Sequence, residues 1–130
     1  MIKTLSPILL AMLLATLAAP SFAAQPGQVL TGIASYSHDS LQGNKTASGQ
    51  IYDKRKMSAA HKTLPLGTRV RVTDKRTGKS IVVRINDRGP FVKGRIIDLS
   101  RKAAQELGII QRGISPVKVE ILSLPGRRGA

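Results

Sequence analysis

The chain contains seven carboxylates (Asp39, Asp53, Asp74, Asp87, Asp98, Glu106 and Glu120), two histidines (His38 and His61) and no cysteine. Without cysteine there is no thiol nucleophile, thiolate metal site, disulfide framework or lipid-bearing N-terminal Cys. Two histidines among carboxylates at undiagnostic spacings make no metal site, and no cofactor is expected. A Gly-x-Ser-x-Gly elbow and a phosphate-cradling glycine loop are both absent, and no Ser-His-Asp order can be argued. What remains is acid–base work by a carboxyl group, with His61 as an available partner.

Asp87 stands out because it closes an apolar run and is followed by Arg88, Gly89, Pro90 and Phe91, a loop that must turn sharply. Cleft residues are common at such strand ends; the structural alternative is an Asx-type turn or an ion pair with Arg88. His61 follows Ala59 and Ala60 and precedes a proline turn, where it is placed either to hold a carboxylate or to serve as a structural hydrogen-bonding group. Asp98 has a sufficient structural explanation as a helix cap. Asp74, Glu106 and Glu120 read as ordinary surface charges, and His38 and Asp39 lie in a loop with no partner that sequence can name. Beyond residue 23 only three aromatics occur, Tyr36, Tyr52 and Phe91, each beside a polar cluster where a sugar ring can stack.

The elements that must position these groups are mostly strands. Residues 28–36 alternate in part, 68–73 (T-R-V-R-V-T) and 80–85 (S-I-V-V-R-I) flank a polar hairpin loop, 95–98 is short, and 116–122 (P-V-K-V-E-I-L) puts Val117, Val119 and Ile121 on one face. Residues 37–50 have loop composition, and 57–61 is a short apolar stretch before a Leu-Pro-Leu-Gly turn. Residues 100–107 form the one good helix, with Ser100 or Asp98 as cap and Gly108 as stop. Several short strands and a single helix in so small a chain favour a mainly β fold, closed into a barrel that exposes no sheet edge.

The chain begins with Lys3 and an apolar run, then Pro20, Ser21, Phe22 and Ala23, the lay-out of a secretory signal peptide cut after Ala23. Removing residues 1–23 leaves 107 residues, enough for one domain, with twenty basic residues against seven acids, a net +13. The expected division is a signal peptide at 1–23, a linker at 24–30, one domain at 31–122 and a disordered basic tail at 123–130. The mature protein is expected to be a soluble monomer in the periplasm or outside the cell, with no stable membrane anchor. In that compartment its charge points to an anionic wall polymer rather than to nucleic acid.

Five ordered motifs identify a family: Gly32-Ile33-Ala34-Ser35-Tyr36, Thr46-Ala47-Ser48-Gly49, Ala59-Ala60-His61-Lys62-Thr63-Leu64-Pro65-Leu66-Gly67, Asn86-Asp87-Arg88-Gly89-Pro90-Phe91 and Arg95-Ile96-Ile97-Asp98-Leu99-Ser100. Together they resemble rare lipoprotein A, from about Gly32 to Leu122. The resemblance implies a six-stranded double-psi β-barrel, the fold of expansins and related endoglucanases, acting on peptidoglycan glycan strands. It implies a lytic transglycosylase, endolytic or exolytic, that cleaves the β-1,4 bond after N-acetylmuramic acid in stem-peptide-free strands and leaves a 1,6-anhydro end. Asp87 would then act as acid and base, His61 as its polar partner, and Asp53 and Asp98 as secondary candidates. A working acid must hold its proton when substrate arrives, which burial in a groove favours. Glycan contacts are expected from Tyr36, Thr46, Ser48, Gln50, Tyr52, Arg88 and Phe91.

The chain also departs from the family pattern. Gln50 stands where the family usually has Glu; it can hydrogen-bond a sugar but cannot titrate. The sequence Ser35-Tyr36-Ser37-His38 replaces a Ser-aromatic-Tyr-Gly continuation, and the C-terminal glycan-binding repeat of many members is not expected here. These differences suit the alternative reading of an expansin-like module that grips wall glycan without cutting it.

Overall fold

The computed structural model describes residues 23–37 and 41–126. The expected signal peptide up to residue 22, the His38 and Asp39 loop and the last four residues of the basic tail lie outside the described residues. Six strands and one helix follow in order: β1 (Val29–Tyr36), β2 (Ser58–Ala60), β3 (Arg69–Asp74), β4 (Ser80–Asp87), β5 (Arg95–Leu99), α1 (Arg101–Leu107) and β6 (Ser115–Ser123). They close into a barrel in the order β1-β5-β2-β4-β3-β6. The β1–β5 and β2–β4 pairs are parallel and the other four antiparallel.

Alternation in the strands produces the interior. Val70 and Val72 of β3, Ile81, Val83 and Ile85 of β4, Ile97 and Leu99 of β5, and Val117, Val119 and Ile121 of β6 all point inward and are buried. Helix α1 closes one flank with Ala103, Ala104 and Leu107. Its N-cap is Ser100, whose hydroxyl accepts from the Ala103 amide at 3.2 Å, and Gly108 ends it through bonds to the Ala104 and Gln105 carbonyls. Gly32 lies where β1 meets β5 with no room for a side chain: a Cβ there would come within 2.5 Å of Ile96 Cγ2.

Three expectations need correction. The linker ends sooner than residue 30, because Val29 and Leu30 already pair with Glu120 and Val119 of β6. Likewise Ser123 belongs to β6, opposite Arg69, rather than to the tail. Asp74 is no surface charge: fully buried, it accepts from Arg112 Nη2 (2.6 Å), the Ser115 hydroxyl (2.8 Å) and the Arg76 amide (2.9 Å). Burial pushes its carboxyl up, but these three donors outweigh that and hold it below its usual value. Arg112 reaches back from the segment after α1, a tertiary pairing that strand patterning does not reveal.

Candidate active-site cleft

The register of the parallel pairs sets the site. Ala60 of β2 pairs with Asp87 of β4 on one side and with Asp98 of β5 on the other. Two carboxylates thus flank a small residue, their Cα atoms about 10 Å apart at two strand spacings. The methyl group of Ala60 leaves the space between them open. A cleft of about 160 Å³ results, lined among others by Ser37, Ala60, Asn86, Asp87, Phe91 and Asp98.

The two carboxylates differ in their bonding. Asp87 Oδ1 accepts from the amides of Ala47 and Arg88, each at 2.9 Å, while Oδ2 makes no bond to the described residues. No buried side-chain oxygen or nitrogen among the described residues lacks a partner, so Oδ2 is open to solvent in the cleft. Asp98 has both oxygens engaged, Oδ1 by Ser35 Oγ at 2.9 Å and Oδ2 by Ser37 Oγ at 2.7 Å. The helix is capped by Ser100, so Asp98 is released from the capping role and faces the cleft. The ion pair considered between Arg88 and Asp87 does not form. Arg88 Nη1 donates instead to the carbonyls of Leu64 (2.7 Å) and His61 (3.2 Å), and only the Asx-type contact to the Arg88 amide is made.

His61 is bound into the same brace. Its backbone N–H donates to the Asp87 carbonyl at 3.1 Å, and its Nδ1 accepts from the amides of Thr63 and Leu64, both at 3.1 Å. An Nδ1 that accepts twice belongs to a neutral imidazole with its proton on Nε2. Burial, reinforced by the charges of Arg88 and Lys62, holds its pKa below the usual 6.5. The imidazole is not part of the cleft lining, and no bond joins it to the Asp87 carboxylate. The structure therefore makes His61 a positioning residue that fixes the 61–64 turn against the end of β4.

The remaining candidates separate. Phe91 is 79 % exposed at the cleft rim, beyond Gly89, whose φ of +121° excludes a side chain. Tyr52 is buried; its hydroxyl accepts from the Arg101 amide at 3.2 Å, and its ring lines both the cleft and a larger depression beside it. Gln50 Oε1 accepts from Asn86 Nδ2 and from Ser48 Oγ, each at 3.3 Å, which puts an amide and a hydroxyl next to the cleft. Thr46 is buried, and its hydroxyl ties the turn together by donating to the Gln50 carbonyl at 3.0 Å. Tyr36 is not brought to the cleft: it packs on the core and donates its hydroxyl to the Ile110 carbonyl at 3.2 Å. Asp53 opens onto the neighbouring depression, where its bonds from the Arg55 guanidinium and amide hold its carboxyl below the usual range. Sequence reasoning did not single out Ser35, Ser37 and Asn86 as site residues; Ser35 and Asn86 were marked only by their places inside the motifs, and Ser37 by following the first of them. Among the described residues no three His, Asp or Glu side chains gather as metal ligands would.

A closed six-stranded barrel in the order β1-β5-β2-β4-β3-β6, with two parallel pairs, has the topology of the double-psi β-barrel class. Residues 31–119 match the family described as lytic transglycolase, and the chain belongs to that family. It is 57 % identical over 98 residues to an endolytic peptidoglycan transglycosylase RlpA from Pasteurella multocida, covering 75 % of this chain and 33 % of that protein. It is 55 % identical over 93 residues to a probable endolytic peptidoglycan transglycosylase RlpA from a Nostoc species, covering 70 % of this chain and 25 % of that one. The chain thus spans a third or less of the length of these relatives. Among solved structures, a Streptomyces papain inhibitor aligns with a TM-score of 0.62 at 26 % identity over 75 % of this chain and 97 % of its own. An expansin from Clavibacter michiganensis shares the fold, with a TM-score of 0.58 at 24 % identity over 77 % of this chain and 53 % of that one.

Proposed function

We propose that this protein is an exported lytic transglycosylase that cleaves the β-1,4 bond after N-acetylmuramic acid in peptidoglycan glycan strands, with Asp87 as both acid and base. The observation that carries this reading is the asymmetry of Asp87. With Oδ1 held by two backbone amides, Oδ2 is the atom free to carry and pass a proton in the cleft. The protonated carboxyl gives its proton to the glycosidic oxygen as the bond to C1 breaks. The muramic 6-hydroxyl then attacks C1, and the carboxylate takes the hydroxyl proton. A 1,6-anhydro ring forms, no water is added, and the acid is restored. One carboxyl group suffices, unlike the two-carboxylate scheme of ordinary glycosidases.

Asp98 contributes charge rather than a proton. Both its oxygens are already accepting hydroxyl bonds, which fixes a negative group across the cleft from Asp87, suited to the positive charge that develops at C1. Phe91 offers a ring face at the rim, and Gln50, Ser48 and Asn86 offer neutral hydrogen-bonding groups for sugar hydroxyls and acetamides. The names of the relatives, endolytic peptidoglycan transglycosylases, support an endolytic cut.

The test is to incubate the protein with stem-peptide-free glycan strands and to measure release of soluble fragments and pull-down in parallel. Asp87→Asn keeps an Oδ1 for the two amides. It is expected to lower release by about 10²–10⁴-fold while leaving pull-down intact. Equal release by the variant removes Asp87 from the mechanism. The non-cleaving wall-binding module is favoured by Gln50 in place of an acid, and it predicts no release from either protein with pull-down from both.

A further inference from the structure

Outside the cleft, the charge that demands explanation is on the outer face of β3 and β4. Arg69 and Arg84 are directly opposite each other in the antiparallel register, both exposed. Like charges in that position destabilise a sheet unless something answers them. One rung away the same face is answered: Arg71 donates to Glu120 of β6 at 2.8 Å. Arg69 instead faces Ser123 on β6, and neither Arg69 nor Arg84 forms an ion pair or a side-chain hydrogen bond with the described residues.

Of this unanswered pair, Arg84 lines a depression of about 760 Å³ together with Lys56, Arg55 and Asp53, and Arg69 stands opposite Arg84 outside that lining. Asp53 and Arg55 neutralise one another. Tyr52, Ser58 and Asn86 line both this depression and the Asp87 cleft, so the two adjoin across a shared wall. A 160 Å³ cleft is smaller than the usual range for a ligand site, whereas the depression falls within it. A polymer cut at Asp87 must extend beyond the cleft, and this is the direction in which the surface is concave.

Resting on the glycan reading above, we propose that Arg84 and Lys56 on the rim, with Arg69 beside Arg84 on the adjoining strand, form a flanking subsite for the free lactyl carboxylate of a muramyl residue. Where a stem peptide is attached, the lactyl group is an uncharged amide and no longer offers the subsite an anion at that position. The arginine pair is then the specificity element that favours stripped strands over peptide-bearing ones. Two arginines suit this task because each guanidinium presents a planar fork to a carboxylate.

The experiment measures equilibrium binding in an Asp87→Asn background, so that nothing is consumed. Three probes are used: stripped glycan strands, the same strands with their carboxylates converted to methylamides, and a neutral chitooligosaccharide. Arg69→Gln/Arg84→Gln is compared with Lys75→Gln/Lys79→Gln, an equal loss of charge in the exposed β3–β4 loop. The parent is expected to bind stripped strands about fivefold more tightly than amidated ones, a difference that the arginine double variant loses and the lysine variant keeps. Binding of the neutral oligosaccharide and the melting temperature should not fall in the arginine variant, since a repulsive pair has been removed. The proposal is overturned if amidation leaves the parent's affinity unchanged, or if both double variants lose the preference equally. Because binding is read without turnover, failure to find anhydro products would count against the lyase reading and leave this result standing.

Discussion

At the end of β4 the Asp87 side chain is oriented by backbone amides, and its neighbour His61 is oriented the same way, so the site is held by main chain more than by other side chains. His61 gives this a pH signature. Its folded pKa lies below the usual 6.5, so between that lowered value and 6.5 the unfolded chain binds the proton more readily. The stability contributed by the neutral imidazole is therefore complete above pH 6.5 and is lost as pH falls through the folded pKa. Melting temperature is expected to decline on acidification from pH 6.5 toward that lowered value. In His61→Asn, which keeps an acceptor but cannot take up the proton, that part of the slope should be flat. Both residues could be singled out from the sequence by their motifs, but their relation could not: they meet through backbone bonds and not through the side-chain contact expected of a catalytic pair. Asp98 was legible as a helix cap because sequence shows only its place before α1, while the hydroxyls of Ser35 and Ser37 that claim it come from the far end of the chain.

The strands were readable wherever one face is buried, since period-two alternation in β3, β4 and β6 is the direct imprint of a core on sequence. Boundaries were less so at β1 and β6: the start of β1 is fixed by pairing with Glu120 and Val119, and the end of β6 by pairing with Arg69, long-range contacts that leave no local signal. The Asp74 cluster was missed for a related reason: its acid sits in a polar hairpin sequence, and its partners Arg112 and Ser115 come from 38 and 41 residues away. Replacing Arg112 by Leu strands a buried carboxylate and is expected to cost about 2–3 kcal/mol, read as a lower midpoint in urea unfolding. The β1–β5 seam makes its own prediction. A methyl group at position 32 would collide with Ile96, so Gly32→Ala should lower the melting temperature, and Ile96→Ala added to it should recover part of the loss. If Ile96→Ala makes matters worse by the full cost of its own truncation, the two residues do not compete for that space.

On the scale of the whole molecule, the barrel brings β1 beside β5 and β2 beside β4, residues some sixty and twenty-six positions apart, and both parallel seams lead to the cleft. Composition foretold closure but not this order, because parallel neighbours share no turn and leave no local signal. The formal charge of +14 favours long-range attraction to anionic polymers, while Asp87 and Asp98 face a single cleft. The central claim is that the bond is broken without water. Mass spectrometry of the fragments released from stripped glycan strands in water enriched in heavy oxygen tests it most directly. The account predicts anhydro-muramic ends with no heavy oxygen incorporated during cleavage. Reducing ends that carry the heavy isotope would show a hydrolase and contradict it.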